Sequence, residues 1–157
     1  AGADKVSINS AALMDPNIIK SSSKYFGSQC IVVAVDVKRD NVSWKVHSHG
    51  GTKNTNIDAL DWLKKVEDLG AGEILLTSMD KDGTKSGFDL EILSRANDVL
   101  GIPVIASGGV GSIEHFYEGV KIGKADALLA ASVFHFNEFS IMDVKNYLKE
   151  KNIEVRI

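Results

Sequence analysis

Three features of the amino-acid sequence predict an α/β fold with a largely parallel sheet. Short apolar segments alternate with amphipathic, helix-like segments along the chain, and this alternation is typical of parallel strands joined by right-handed helical crossovers. Several apolar segments run directly into polar or glycine-rich loops, which is where parallel sheets carry their active sites. No linker or low-complexity tract interrupts the sequence, so we predict a single domain over residues 1–157.

Five apolar segments are predicted to be strands, because short continuous apolar runs are typical of strands that are covered on both faces. They are Lys5–Ile8, Ile31–Asp36, Glu73–Thr77, Val104–Ser107 and Ala127–Ala130. A further strand-like segment, Val42–His47, is predicted to form a hairpin extension after the second of these strands.

The helical segments carry start and stop signals. The first is predicted to begin at Asp15 and Pro16, because aspartate caps a helix N-terminus and proline suits its first turn. The second helix ends near Gly70 and carries on one face Ile57, Leu60, Leu63 and Val66. The remaining helices are predicted to begin at about Asp89, Ile113 and Ser140. With about five βα units, the chain would form part of an eight-unit barrel, a partial TIM (β/α)8 barrel.

The composition disfavours several classes of function. A formal net charge of -3 gives no basis for binding nucleic acid or an anionic membrane, since both need clustered lysine and arginine. Cys30 is the only cysteine, so no internal disulfide can form, and no signal peptide or long apolar run is seen. We therefore expect a cytoplasmic protein. We also expect neither a cofactor nor a resident metal. Because the chain starts abruptly, close to a strand, it is expected to be part of something larger.

Asp36 is the foremost candidate for an acid–base group. It ends an apolar strand, where its surroundings can tune a carboxyl group for proton transfer. The alternative is that Asp36 only caps or orients the hairpin that follows. Asp82 can likewise contact a substrate hydroxyl or merely close a turn with Gly83. Asp80 and Asp82 resemble a metal pair, but their loop lacks the further oxygen ligands of a calcium site.

Two loops are predicted to bind phosphate. Ser107–Gly111 and Ala131–Ser132 each follow a strand and precede a helical stretch, so backbone N–H groups can converge there on an anion. TIM barrels often bind phosphate between the loops after their last two strands. The alternative is a glycine turn that only lets strand and helix pack closely. Asn9 and Ser10 align with Ala131–Ser132 in an internal repeat, which suggests a second anion site and a substrate with two phosphates.

Other polar residues give weaker signals. His47 and His49 share a strand face but lack the third ligand of a zinc site. His115 and His135 are expected on helix surfaces or in packing. Lys5 and Glu73 begin strands at the opposite end of the sheet and are expected to form an ion pair.

Five segments, Gly2–Asn9, Val35–Arg39, Gly70–Gly87, Ile105–Gly109 and Leu129–His135, carry motifs of one known family in the family's order. In them the chain resembles the cyclase subunit of imidazole glycerol phosphate synthase, an enzyme of histidine biosynthesis. The resemblance covers essentially the whole chain and begins at the family's fourth strand. The isomerase that precedes the cyclase in the pathway has a similar Asp-Gly-Thr loop, but Thr77–Met79 and Gly50–Lys53 are more similar to the cyclase.

The resemblance implies a reaction. Ammonia from a partner glutaminase subunit attacks the ketone of a bisphosphorylated formimino carboxamide ribonucleotide, and ring closure with cleavage yields imidazole glycerol phosphate and an aminoimidazole carboxamide ribotide. Asp36 would be one of two catalytic aspartates, and the other, on the family's first strand, has no counterpart here. Thr77 and Asp82 would contact the substrate.

The resemblance also implies where the other ligands lie. The complete phosphate site would comprise Gly83, Ser107, Gly108, Gly109 and Ser132. Asn9 and Ser10 would belong to the phosphate site of the absent half. Lys5 and Glu73 would form part of a charged gate that admits ammonia, with Asp4 near the glutaminase interface.

Three hypotheses follow. The chain is part of the cyclase and nearly inactive alone, or a noncatalytic half-barrel scaffold that binds phosphate, or a related phosphosugar isomerase. In each case an open parallel sheet with unpaired edges is expected to self-associate.

Overall fold

The computed structural model describes residues 2–156 and shows an α/β fold. Within this range the strands are β1 (Val6–Ile8), β2 (Ile31–Asp40), β3 (Ser43–Ser48), β4 (Lys53–Asp58), β5 (Glu73–Ser78), β6 (Val104–Ser107) and β7 (Ala127–Leu129). The helices are α1 (Ser10–Met14), α2 (Asn17–Phe26), α3 (Ala59–Asp68), α4 (Leu90–Val99), α5 (Ile113–Lys121), α6 (Ser132–His135) and α7 (Ile141–Glu150), with a 3-10 turn at Ser28–Cys30.

The seven strands form one sheet with the order β4-β3-β2-β5-β6-β7, and β1 pairs with β2. The pairs β1–β2, β2–β5, β5–β6 and β6–β7 are parallel, whereas β3 and β4 form an antiparallel hairpin on β2. The sheet is open in the described part of the chain. The five parallel strands with their helices therefore form part of a TIM barrel, as the sequence predicts.

Strand β2 lies at the centre of this arrangement. Its first residues pair with β1, its middle pairs with β5, and its last residues, from Asp36 to Asp40, pair with β3. The strand is four residues longer than the segment predicted from the sequence. The extra residues are mostly polar, so no apolar pattern predicts them as a strand, but β3 provides their hydrogen-bonding partners.

The two faces of the sheet differ in burial. In β5, Ile74, Leu76 and Ser78 are buried, whereas the residues between them are partly exposed. The same alternation occurs in β6 and in the middle of β2. Helices therefore cover one face, and the buried apolar residues of the described chain join in a core between this face and the helices.

Local signals place the helices close to where the sequence predicts them. Asp89 caps α4 by accepting the N–H of Ile92, and Ser140 caps α7 by accepting the N–H of Asp143. The prediction that Ile57 lies in a helix is wrong, because Ile57 belongs to β4 and α3 begins only after Asp58, whose carboxylate accepts two N–H groups of its first turn. Strand β4 and the short helix α1 were not predicted.

Candidate active site

One row of side chains crosses the open face of the sheet near the carboxyl ends of its strands. Asp36 in β2 lies opposite Thr77 on the neighbouring strand β5, and Thr77 lies opposite Ser107 on β6. Partnered residues of neighbouring strands point to the same face, so a carboxylate and two hydroxyls lie side by side. All three are partly exposed. This row can contact a polar ligand and exchange protons with it.

Asn9 contacts the carboxylate of this row. It directly follows β1, and its Nδ2 donates a hydrogen bond to Asp36 Oδ2 at 3.1 Å. Its own Oδ1 is buried and has no hydrogen-bond partner within residues 2–156. The amide therefore fixes one carboxylate oxygen of Asp36 and leaves the other for contact with a ligand.

A pocket of about 180 Å³ adjoins the row at Ser107. It is lined by Asp82, Gly83, Lys85, Ser107, Gly108, Gly109, Val110, Leu129, Ala130, Ala131 and Ser132. Within residues 2–156 the backbone N–H groups of Gly83, Gly108 and Gly109 donate to no backbone acceptor. Unpaired N–H groups that line a small concavity are suited to bind an anion.

Close packing of the loops requires glycine in this pocket. A Cβ atom on Gly109 would lie 2.2 Å from the carbonyl oxygen of Gly87, and one on Gly108 would lie 2.9 Å from that of Ser78. Both glycines also have positive φ angles, +101° and +92°, and residues with a side chain rarely adopt this backbone conformation. The glycines therefore hold the loops after β5 and β6 together and shape the pocket.

The sequence matches the family of histidine biosynthesis proteins over residues 1–140. This span contains the whole row on the open face and the whole lining of the pocket. The chain belongs to this family. Its members are enzymes of histidine biosynthesis, so the chain is an enzyme of this pathway.

No helix in the described part of the chain is long and apolar enough to cross a membrane.

The two aspartates of the loop after β5 have different surroundings. Asp82 lines the pocket. Asp80 instead accepts the backbone N–H of Arg39 at 2.6 Å and so ties the hairpin to this loop. Among the residues that the structure describes, no three His, Cys, Asp or Glu side chains come close enough together to hold a metal ion.

A cluster around Trp44 fixes the hairpin against α4. Trp44 is buried and donates its Nε1–H to Asp89 at 3.0 Å. The guanidinium groups of Arg39 and Arg95 lie 4.6 Å and 5.3 Å from its ring. Glu91 accepts hydrogen bonds from both arginines, and the bond from Arg39 lowers the pKa of Glu91. These contacts therefore hold the hairpin that follows Asp36 against α4.

Two histidines have structural contacts. His47 is buried beside β2 as the Cα partner of Asp36, and its Nδ1 lies 3.1 Å from the carbonyl oxygen of Lys45. His115 was expected on a helix surface or in packing. It lies partly exposed in α5, and its Nδ1 also accepts the N–H groups of Gly111 and Ser112 at 3.1 Å and 3.2 Å, and so caps this helix.

The predicted ion pair at the opposite end of the sheet is confirmed. Glu73 begins β5, Lys5 precedes β1, and their charged groups are in contact. Asp4 lies next to Lys5 and is exposed. That this pair gates ammonia, and that Asp4 lies near a partner, stay predictions.

Asn9 and Ser10 lie apart from the 180 Å³ pocket. Asn9 contacts Asp36, and Ser10 begins α1. Their part in a second phosphate site stays a prediction.

Sequence reasoning missed Lys85 as a residue of the pocket and the contact between Asn9 and Asp36. Lys85 follows Gly83 by two residues, so its place in the pocket loop was a usable signal. Asn9 contacts Asp36, 27 residues away, and Lys85 contacts Glu138, 53 residues away, so neither contact leaves a local pattern in the sequence.

Proposed function

We propose that the chain contributes the fourth to eighth βα units of the cyclase of imidazole glycerol phosphate synthase. In the proposed reaction, ammonia and the bisphosphorylated formimino carboxamide ribonucleotide yield imidazole glycerol phosphate and an aminoimidazole carboxamide ribotide. The observation that carries the proposal is the row of Asp36, Thr77 and Ser107, which adjoins the glycine-lined pocket at Ser107.

Asp36 is proposed as one of the two acid–base groups. The hydrogen bond from Asn9 supports this role, because a carboxylate held at one oxygen can present the other in a constant direction. Thr77 and Asp82 are proposed to contact the substrate. Thr77 neighbours Asp36 in the row, and Asp82 lines the pocket.

One substrate phosphate is proposed to bind in the 180 Å³ pocket, to Gly83, Ser107, Gly108, Gly109 and Ser132, all of which line it. The unpaired glycine N–H groups support this proposal. Asn9 and Ser10 are proposed to serve the second phosphate together with residues of the family's first three units.

Two neighbouring motifs favour the cyclase over the pathway's isomerase, because both are more similar to the cyclase. The segments Gly50–Lys53 and Thr77–Met79 are the ones more similar to the cyclase. A Cβ atom on Gly51 would lie 2.3 Å from the Met79 side chain, so the two segments pack against each other at the sheet's rim. Isomerase activity towards the formimino precursor would overturn this choice.

A glutaminase subunit is the proposed source of ammonia. Lys5 and Glu73 are proposed to form part of its entry gate, because the ion pair lies at the end of the sheet opposite the row of Asp36. Asp4, exposed beside Lys5, is proposed to lie near the glutaminase.

Turnover tests the proposal. The chain is mixed with a protein fragment that supplies the family's first three βα units, and ammonia-dependent formation of imidazole glycerol phosphate is measured. We expect turnover from the mixture and almost none from the chain alone. Asp36→Asn is expected to lower the mixture's turnover by about 10²- to 10⁴-fold, as for other positioned acid–base groups.

Asp126→Asn is the matched control, because Asp126 lies before β7 and accepts the N–H of Val104, far from the row along the strands. If the Asp36→Asn substitution leaves the turnover of the mixture unchanged, the proposed catalytic role of Asp36 is rejected. A folded mixture that binds phosphate but forms no product would favour the noncatalytic scaffold.

We also propose that the chain self-associates through its open sheet. Within residues 2–156, β7 pairs only with β6, and Val6 in β1 and Leu129 in β7 are exposed. An apolar groove of about 450 Å³ lies beside β7, between α5 and α7. Unpaired strands and apolar faces of this kind associate with partners that cover them.

Light scattering tests the self-association of the isolated chain. We expect the mass of a dimer or a larger assembly at micromolar concentration. Val6→Lys and Leu129→Lys place charges at the two edges and are expected to reduce the mass towards that of the single chain. A monomeric wild-type chain would overturn the proposal.

A further inference from the structure

Lys85 connects the three loops that surround the 180 Å³ pocket. It belongs to the loop between β5 and α4 and lines the pocket. Its carbonyl oxygen would lie 2.4 Å from a Cβ atom on Gly111, so its backbone packs against the loop after β6. Its φ of +56° is unusual for a residue with a side chain. The loop thus holds Lys85 in a defined position.

The ammonium group of Lys85 is paired with Glu138, which follows α6 in the third loop. The two side chains are 50% and 33% exposed. A half-exposed ion pair contributes little to stability, because water competes for both charges. The pair can therefore exchange partners at small cost.

Among the described residues that line the pocket, Lys85 is the only cation and Asp82 is the only anion. Glycine N–H groups carry partial charges only, so they do not balance the charge of a phosphate beside Asp82. A phosphate in this pocket would favour the approach of the lysine ammonium.

We propose that Lys85 is the cationic ligand of the anion in this pocket and that Glu138 competes with the anion for it. In the empty pocket Glu138 holds the ammonium group, and a bound phosphate draws it away. This inference rests on the phosphate pocket of the proposed function and adds to it the residue that balances the phosphate charge.

Binding of inorganic phosphate to the full chain tests the inference. The probe is the shift of the Gly108 and Gly109 amide signals in ¹⁵N-edited NMR spectra, which localises binding to the pocket. Lys85→Met is expected to weaken phosphate binding about tenfold, since hydrogen bonds to charged groups contribute on this scale. Glu138→Gln is expected to strengthen binding severalfold, because it removes the competing carboxylate.

The chain offers a matched control pair. Lys124 and Asp98 form an ion pair whose side chains are 49% and 57% exposed, at residues outside the pocket lining. Lys124→Met and Asp98→Asn are expected to leave phosphate binding unchanged. Circular dichroism checks that each variant is folded. If Lys85→Met does not fold, the increase in phosphate affinity expected in Glu138→Gln decides whether the inference holds.

The outcomes separate the two proposals. Phosphate that binds wild-type protein, with affinity unchanged in Lys85→Met and Glu138→Gln, would overturn the role of Lys85 and leave the phosphate pocket standing. Phosphate that fails to shift the Gly108 and Gly109 signals of wild-type protein would overturn the pocket and the role of Lys85 together. Weaker binding in Lys85→Met with stronger binding in Glu138→Gln would support the competition.

Discussion

At the scale of single residues, Gly109 and Gly83 line the same pocket under different constraints. Both have positive φ, +101° and +74°. A Cβ atom on Gly109 would meet the carbonyl oxygen of Gly87 at 2.2 Å, whereas one on Gly83 would have nothing within 4 Å. Gly109 is therefore constrained by both space and backbone conformation, and Gly83 by conformation alone.

This difference predicts unequal losses of stability. Gly83→Ala should lower the free energy of unfolding by about 1 kcal/mol, the cost of a side chain in the left-handed region. Gly109→Ala must also separate two loops, and we expect it to cost at least about twice as much. Urea unfolding of both variants measures this, and equal losses would contradict the close approach of Gly109 to Gly87.

Asp36 shows how one residue acquires its surroundings from distant parts of the chain. Its neighbours are Asn9, which directly follows β1, Thr77 in β5 and His47 in β3. They therefore come from three different segments of the chain beside β2. The position of Asp36 at a strand end could be predicted from the sequence, because an apolar run precedes it. Its contact with Asn9 could not, since only strand pairing brings the two together.

At the scale of the elements, Asp89 joins a helix, a strand and the hairpin. Its Oδ1 caps α4, and its Oδ2 accepts hydrogen bonds from Trp44 Nε1 at 3.0 Å and from Ser78 Oγ at 3.1 Å. Both donors belong to buried residues. Removing the carboxylate would therefore leave the helix uncapped and two buried donors without their partner.

Asp89→Ala is expected to destabilise the protein by about 3 kcal/mol, the sum of a lost cap and of unsatisfied buried donors. Asp58→Ala is the control, because Asp58 caps α3 through two N–H groups, and it should cost about 1 kcal/mol. Thermal or urea unfolding of the two variants gives the comparison. A loss in Asp89→Ala no larger than in Asp58→Ala would show that the bonds to Trp44 and Ser78 contribute little.

The elements also show what sequence patterns can predict. Strands β5 and β6 and helices α4 and α7 carry strong local signals, namely apolar runs and capping residues, and the structure places them within a residue or so of the prediction. Strand β4 has one apolar residue, Ile57, and is a strand because β3 provides its hydrogen-bonding partner. Tertiary pairing of this kind leaves no periodicity in the sequence.

The candidate site follows the same division. Ser107, Gly108, Gly109 and Ser132 could be predicted as pocket residues, because they lie at or shortly after the ends of apolar strands, whereas Gly83 was assigned to the pocket through the family resemblance. The ion pair of Lys85 and Glu138 could not be predicted, since the two residues are 53 positions apart and no sequence motif contains both. Similarly, His115 caps its own helix by a bond that helix surface patterns do not indicate.

At the scale of the whole molecule, two of the strands that carry the site are short. Strands β6 and β7 have four and three residues, so few hydrogen bonds hold them. Their ends and the residues that follow them nevertheless form most of the pocket lining. The precision of the pocket therefore depends on how firmly the sheet is anchored at its centre.

That centre is β2, whose ten residues hydrogen-bond to β1, β3 and β5. The backbone amides of Val33, Val35 and Val37 cannot be exposed unless β2 separates from its neighbouring strands. We therefore expect these amides to exchange with deuterium only when the entire molecule unfolds. Their exchange rates would then report global stability, and faster exchange there than in β7 would mean that another segment holds the protein together.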